Sequence, residues 1–172
     1  MNDSQGTILL VEDDRNDVFF LQYAFETAGI TNPMQVVVDG QEAIQYLAGQ
    51  GPYADRSRYP LPCLVLLDLK LPVRMGLEVL EWIHARPELR NLLVVVLTSS
   101  SSMADVDRSY QLGARSFLVK PLSVDKRLEM ARLIKEYWIE MNKAPSRGGC
   151  TTPQNPTTSA RAGHAGGTSP GG

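Results

Sequence analysis

The sequence is short of several residue types that would otherwise dominate its chemistry. It has two cysteines, Cys63 in an apolar run and Cys150 in a polar stretch. Their separation suits neither a disulfide framework nor a metal knuckle, so both read as plain free thiols and point to the cytoplasm. His84 is the only histidine before residue 145, which rules out a histidine metal pair. It falls beside Leu77 and Leu80 on a helical wheel and reads as a partly buried structural residue. The formal net charge is only −2, so no basic face is available for nucleic acid or an anionic membrane surface. The longest aliphatic run, Leu92 to Leu97, is too short to span a bilayer. The opening MNDSQGT has no basic region ahead of an apolar stretch, so no secretory signal is visible.

What is present suits one domain with a full core: 172 residues, 43% of them hydrophobic. The composition changes at Pro145. Residues 145–172 hold 4 Pro, 7 Gly and 8 Ser or Thr, with no acidic residue. Such a segment buries too little surface to offset its ordering entropy and reads as a disordered tail. The folded part is therefore 1–144. Within it, near-continuous aliphatic runs at Thr7–Val11, Met34–Val38, Cys63–Leu67, Leu92–Leu97 and Ser116–Val119 predict strands covered on both faces. Helical patterns separate them. Val18, Leu21, Phe25 and Ala28 form one stripe, stopped at Gly29. Ala43, Ile44 and Leu47 form a second, Val79, Leu80 and Ile83 a third, and Met103, Val106 and Tyr110 a fourth closed by Gly113. A fifth helix is expected from Ser123 to Asn142. Five βα units in series imply an α/β fold with a doubly wound, five-stranded parallel sheet.

Ligands of such sheets bind outside the carboxyl ends of the strands. The residues that end each apolar run should therefore share one rim. Strand 1 ends in Glu12-Asp13-Asp14, strand 3 in Asp68, strand 4 in Thr98-Ser99-Ser100 and strand 5 in Lys120-Pro121. Acids at that density need a counter-charge, and hard carboxylate oxygens suit Mg²⁺, with Lys120 assisting. Asp14 also reads as the cap of the first helix, and Ser100 to Ser102 as a cap for the fourth.

These residues, in this order and each at a strand end, resemble the receiver domain of response regulators, the phosphoacceptor half of two-component signalling. The resemblance covers nearly all of 7–142 and includes the run Asp68-Leu-Lys-Leu-Pro72-Val-Arg-Met-Gly76. It implies a flavodoxin-like (β/α)5 fold of strand order 2-1-3-4-5 and a cis peptide at Lys120-Pro121. It implies that Asp68 accepts a phosphoryl group from a sensor histidine kinase. Asp13, Asp68 and the backbone carbonyl of Lys70 would ligate Mg²⁺, and Glu12 would act through water. Lys120 would pair with Asp68 at rest and with the phosphoryl group afterwards. Thr98 would donate its hydroxyl to that group, and the small Ser99 would leave room for a donor. Phe117 matches the position of an aromatic that swings inward when the site is occupied. The protein would assist its own phosphorylation and dephosphorylation without being an enzyme in the usual sense.

Rival readings separate on single positions. A hydrolytic aspartyl phosphatase needs a second Asp two residues after the first, where this chain has Lys70. A flavin-binding protein of the same fold needs a hydroxyl-rich first loop, and EDDRND would repel the cofactor phosphate. The runner-up is a receiver-like scaffold acting independently of phosphorylation, which would be expected to lack Asp68 or Lys120. No output domain follows in the sequence, so the signal should leave through protein contacts. The long loop AGQGPYADRSRYPLPCLVLLD resembles that of single-domain regulators partnered with bacterial phytochromes. On the fifth helix, Val124, Leu128, Ala131 and Trp138 form the stripe expected to pack on the sheet. Met130, Leu133, Tyr137 and Met141 form a second, with Ile134 between the two, which predicts a homodimer face.

Overall fold

A computed structural model describes residues 6–141. The expected tail, Cys150 and the last residue of the expected fifth helix lie outside them. Strands β1 (Ile8–Val11), β2 (Met34–Val37), β3 (Leu64–Leu67), β4 (Leu93–Thr98) and β5 (Ser116–Val119) form one parallel sheet in the order β2-β1-β3-β4-β5. Val11 is level with both Val37 and Leu67, and Leu67 with Val96. The carboxyl ends therefore lie side by side, as the strand order implied by the resemblance requires.

The aliphatic runs are continuous because successive side chains serve two different cores. On β1, Ile8 and Leu10 face α1 (Arg15–Thr27) and α5 (Val124–Ile134), where they join Leu21, Phe25, Ala131 and Ile134. Leu9 and Val11 face α2 (Gly40–Ala48) and α3 (Gly76–His84), among Ala43, Leu47, Val79 and Leu80. The strand period of two converts one apolar run into two packed layers. β5 closes one edge of the sheet and is only partly covered. The loop from α2 to β3 is held by specific bonds. Arg56 donates to the carbonyls of Tyr46 and Leu47 at the end of α2, and the rings of Tyr46, Tyr53 and Tyr59 pack on one another.

Several expectations need correction. The apolar stripe of α4 (Met103–Gln111) is not buried: Met103 and Tyr110 are exposed, and Ser109 is its buried residue, its hydroxyl donating to the Asp105 carbonyl. The fifth helix changes form after Ile134, continuing as a π-helix over Lys135–Met141. The wider turn breaks the 3.6-residue count, so Ile139 is buried although it belongs to neither expected stripe. Ile134 is 2% exposed and lies in the core, so it is no part of an interaction face, while Val124 is exposed instead of packing on the sheet. His84 is exposed. Cys63 is disulfide-bonded, not a free thiol. Sequence spacing did not reveal this. No described peptide bond is cis, so Lys120-Pro121 is trans, the commoner isomer even before proline.

Two glycines lock the loop that follows β3. A Cβ added to Gly76 would lie 2.1 Å from the Asp68 carbonyl oxygen and 2.7 Å from the Leu69 Cα. One added to Gly40 would lie 2.2 Å from the Arg74 carbonyl oxygen. Gly76→Ala should therefore force backbone to move and destabilise the fold by about 2 kcal/mol, the usual scale of overpacking. Urea denaturation measures this, and an unchanged midpoint would show that the loop has slack.

Candidate functional site

Each strand delivers one polar group to the rim because the apolar run stops there. β1 gives way to Glu12, which is buried, and Asp13, which is exposed. Asp14 begins α1: its carboxylate accepts from the backbone N–H groups of Asn16 and Asp17 at 2.7 and 3.2 Å. That is the expected helix cap. Asp68 follows β3 and is 5% exposed. Thr98 is the last residue of β4, fully buried, and its hydroxyl oxygen accepts from the Ser100 N–H at 3.3 Å. Ser102 occupies the start of α4 without a side-chain cap bond, and the Ser100 hydroxyl instead donates to Asp105 at 2.6 Å. Lys120 follows β5, its backbone N–H bonded to the Thr98 carbonyl at 2.8 Å.

The Lys120 ammonium is the centre of the arrangement. Its Nζ lies 2.6 Å from Asp68 Oδ2, 2.5 Å from Glu12 Oε2 and 3.0 Å from Asp17 Oδ2. The second oxygen of Asp68 accepts from the Lys70 N–H at 3.1 Å, and that of Glu12 from the Asp14 N–H at 3.1 Å. Asp13 alone of these acids has no such partner among the described residues. Carboxylate oxygens of Glu12, Asp13 and Asp68 lie within 4.8 Å of one another. Phe117 is half-buried and packs against the core under α2 and α3. Lys70 and Ser99 are exposed at the rim.

Sequence reasoning missed Asp17 and Arg127. Asp17 sits in the first turn of α1, where the cap at Asp14 turns it inward. Arg127 Nη2 lies 2.8 Å from Asp17 Oδ1, and Arg127 Nε donates to the Pro121 carbonyl at 2.9 Å. The available signal was an acid three residues after a capping Asp, in a loop already rich in acids. Nothing in the sequence distinguished it from a solvated helix start.

Burial and charge act against each other here. Burial pushes the Glu12 carboxyl above its ordinary range, and the hydrogen bond from Lys120 only partly offsets this. Burial alone would lower the Lys120 ammonium, but hydrogen bonds to Asp68, Glu12 and Asp17 outweigh it and raise the group well above its usual value. For Asp17 burial is likewise outweighed, by Lys120 and Arg127, which hold its carboxyl below the usual range. Four carboxylates (Glu12, Asp13, Asp17, Asp68) face two cations (Lys120, Arg127). The two unmatched negative charges and the all-oxygen donor set fit one hard divalent cation and do not favour a thiolate-seeking metal.

Comparison with known proteins identifies this arrangement. Residues 8–132 match the response regulator receiver domain. The chain belongs to that family. It is 40% identical over 138 residues to the probable methanogenesis regulatory protein FilR2 of Methanothrix harundinacea, covering 80% of this chain and 86% of the relative. It is 37% identical over 139 residues to the response regulator Rcp1 of Synechocystis, covering 81% and 92%. The solved structure of the phosphorylated cyanobacterial phytochrome response regulator RcpA superposes with a TM-score of 0.76 at 34% identity, covering 83% of this chain and 99% of that one. Rcp1 has been solved in a Mn²⁺-bound form.

The chain is therefore a phosphoacceptor of two-component signalling, and membership of this family points to a sensor kinase as partner. Receivers hold a divalent metal at this acidic cluster. Among the described residues no helix is long and apolar enough to cross a membrane. Asp13 is the carboxylate of the cluster not already engaged by a protein cation or N–H. Asp13→Ala should weaken divalent-metal affinity by about tenfold or more, or roughly 1.4 kcal/mol. Titration calorimetry decides, and an unchanged affinity would take Asp13 out of the metal site.

Proposed function

We propose that Asp68 accepts the phosphoryl group and that Mg²⁺ is the working metal. The observation that carries this is the placement of a buried carboxylate between two further acids and an ammonium group. An Asp68 oxygen would attack the phosphorus of a phosphohistidine on the kinase. The O–P bond forms as the P–N bond breaks, and the imidazole nitrogen takes the electron pair. Asp13, Asp68 and the Lys70 backbone carbonyl would hold Mg²⁺, with Glu12 acting through water. When bound, the ion supplies the charge neutralisation that lets an anionic carboxylate meet an anionic donor. Lys120 would then turn one of its N–H hydrogen bonds from the Asp68 oxygen to a phosphoryl oxygen, and the Thr98 hydroxyl would donate to another. The same groups would assist hydrolysis of the acyl phosphate, with the Lys70 side chain a further cation nearby. Phe117 would occupy the space that Thr98 leaves, changing the outer surface of α4, β5 and α5.

Likeness to the phytochrome response regulator RcpA supports a phytochrome-class sensor kinase as the phosphodonor, and phosphoryl transfer from such a kinase would take place in the cytoplasm. Composition supports ending the domain near residue 144, with 145–172 a polar tail outside the phosphoacceptor reaction. The runner-up reading, a scaffold indifferent to phosphorylation, does not explain why all the reactive groups are assembled. Asp68→Asn should abolish Mg²⁺-dependent labelling by acetyl phosphate, and hydroxylamine should release the label from the parent protein. Full labelling of the variant would place the acceptor elsewhere.

A homodimer through the outer face of α5 is the second part of the proposal. Leu133, Tyr137 and Met141 are 60%, 59% and 73% exposed, with Met130 half-buried beside them. A face this apolar and this exposed is usually covered by a partner. Sedimentation should give the parent twice the mass of Tyr137→Glu/Met141→Glu. A parent that stays monomeric at high concentration, phosphorylated or not, would remove the dimer.

A further inference from the structure

Lys120 donates N–H bonds to Asp68 and Asp17 and pairs with a third carboxylate, Glu12. Two of these acceptors belong to the cluster that the reaction changes. Asp68 becomes an acyl phosphate, and Glu12 lies in the triad that meets the metal. Asp17 stands outside that triad, on α1, and its other oxygen is held by Arg127. Arg127 is itself fixed: its Nε bonds the Pro121 carbonyl and its guanidinium lies 5.4 Å from the centre of the Phe20 ring. A lysine stem has four freely rotating carbons and does not place its own ammonium.

We infer that Asp17 is the positioning residue for Lys120, with Arg127 holding Asp17 in place. Asp17 is the one contact of the ammonium that stays constant while Asp68 changes from carboxylate to acyl phosphate. It keeps the amine at the rim when its bond to Asp68 is released, so that the freed N–H meets the phosphoryl group. Arg127 acts only through Asp17 and through the turn at Pro121. The inference rests on Asp68 being the phosphoacceptor.

Two measurements on the full chain test it. The first is metal-free: a heteronuclear NMR signal from the Lys120 ammonium, protected by burial and three acceptors, should be visible in the parent and lost in Asp17→Asn. The second is a double-mutant cycle on phosphorylation by acetyl phosphate. Asp17→Asn should lower the maximal rate by about tenfold or more, as misplacement of a reacting group does. Half-saturation by the donor should stay unchanged. Asp17→Asn/Arg127→Gln conserves local charge, so its divalent-metal affinity should stay within about twofold of the parent. Its rate should match that of Asp17→Asn alone, because Arg127 has nothing left to position. A sharp Lys120 signal in Asp17→Asn, or a rate within twofold of the parent, overturns the inference. Independent, multiplying effects of the two substitutions overturn the role of Arg127. Should Asp17→Asn fail a urea test of folding, Arg127→Gln alone must show the same loss of rate. Undiminished labelling of Asp68→Asn would instead defeat the underlying assignment of the acceptor, which leaves the metal-free NMR result standing.

Discussion

One ammonium group holds the carboxyl end of this sheet together. Lys120 comes from the end of β5 and reaches Glu12 beyond β1, Asp17 on α1 and Asp68 beyond β3. Without it, two nearly buried carboxylates would face each other in a medium that screens poorly. Breaking a buried ion pair by removing one partner costs about 3–5 kcal/mol, because the other charge stays desolvated. A guanidinium could not replace it, since its planar fork points donors in one plane and the three acceptors approach from different elements. The cluster contributes little net stability for its size, because desolvation opposes each attraction. Its contribution lies in where it puts the acids.

The backbone around Asp68 is held as tightly as its side chain. Gly76 sits against the Asp68 carbonyl and Gly40 against the Arg74 carbonyl, so the loop between them is clamped by α2 and α3. Arg74 adds a bond to Gln41 at 2.8 Å. Inside that clamp Val73 has φ 64, a left-handed conformation that a β-branched residue adopts only under constraint. A cost on the order of 1–3 kcal/mol is tolerated there because both ends of the loop are over-determined. The valine is exposed, so no packing of its side chain offsets that cost. The loop's shape is imposed from its ends.

The rim was legible because a parallel sheet turns sequence position into place. Glu12, Asp68, Thr98 and Lys120 each follow an aliphatic run directly, and in-register strands bring run ends together. What was not legible depended on features that no run of residues announces. Asp17 looked like one more acid in a polar loop until the cap at Asp14 fixed the direction of α1. The outer stripe of α5 was counted at 3.6 residues per turn, and the π-helix from Lys135 moved Ile139 inward, while Ile134 proved buried. Met103 and Tyr110 have helical spacing yet are exposed, while Leu112 and Ala114 just beyond the end of α4 join the core. Periodicity gives the face of a helix but not whether another element covers it. Cys63 illustrates the same limit for covalent pairing.

Uneven packing decides where a change at Asp68 can be felt. β1 and β3 are buried along their whole length and carry the acids, so they resist displacement. β5 is an edge strand, partly exposed, and the helices and turn beside it leave Met103, Tyr110, Leu122 and Leu133 in solvent. Local rearrangement requires little loss of burial on that side and a great deal on the other. Lys120 lies at the junction, its backbone bonded to Thr98 of the rigid strand and its side chain to the reactive carboxylate. On the proposal that Asp68 is the acceptor, a phosphoryl group there would remove one of the three carboxylate partners of Lys120 and supply other oxygens. The acids cannot follow, because β1 and β3 are fixed, so the adjustment would fall on β5 and the surface beside it. The proposed chemistry would thus be anchored in the stiff half of the sheet and read out through the loose one.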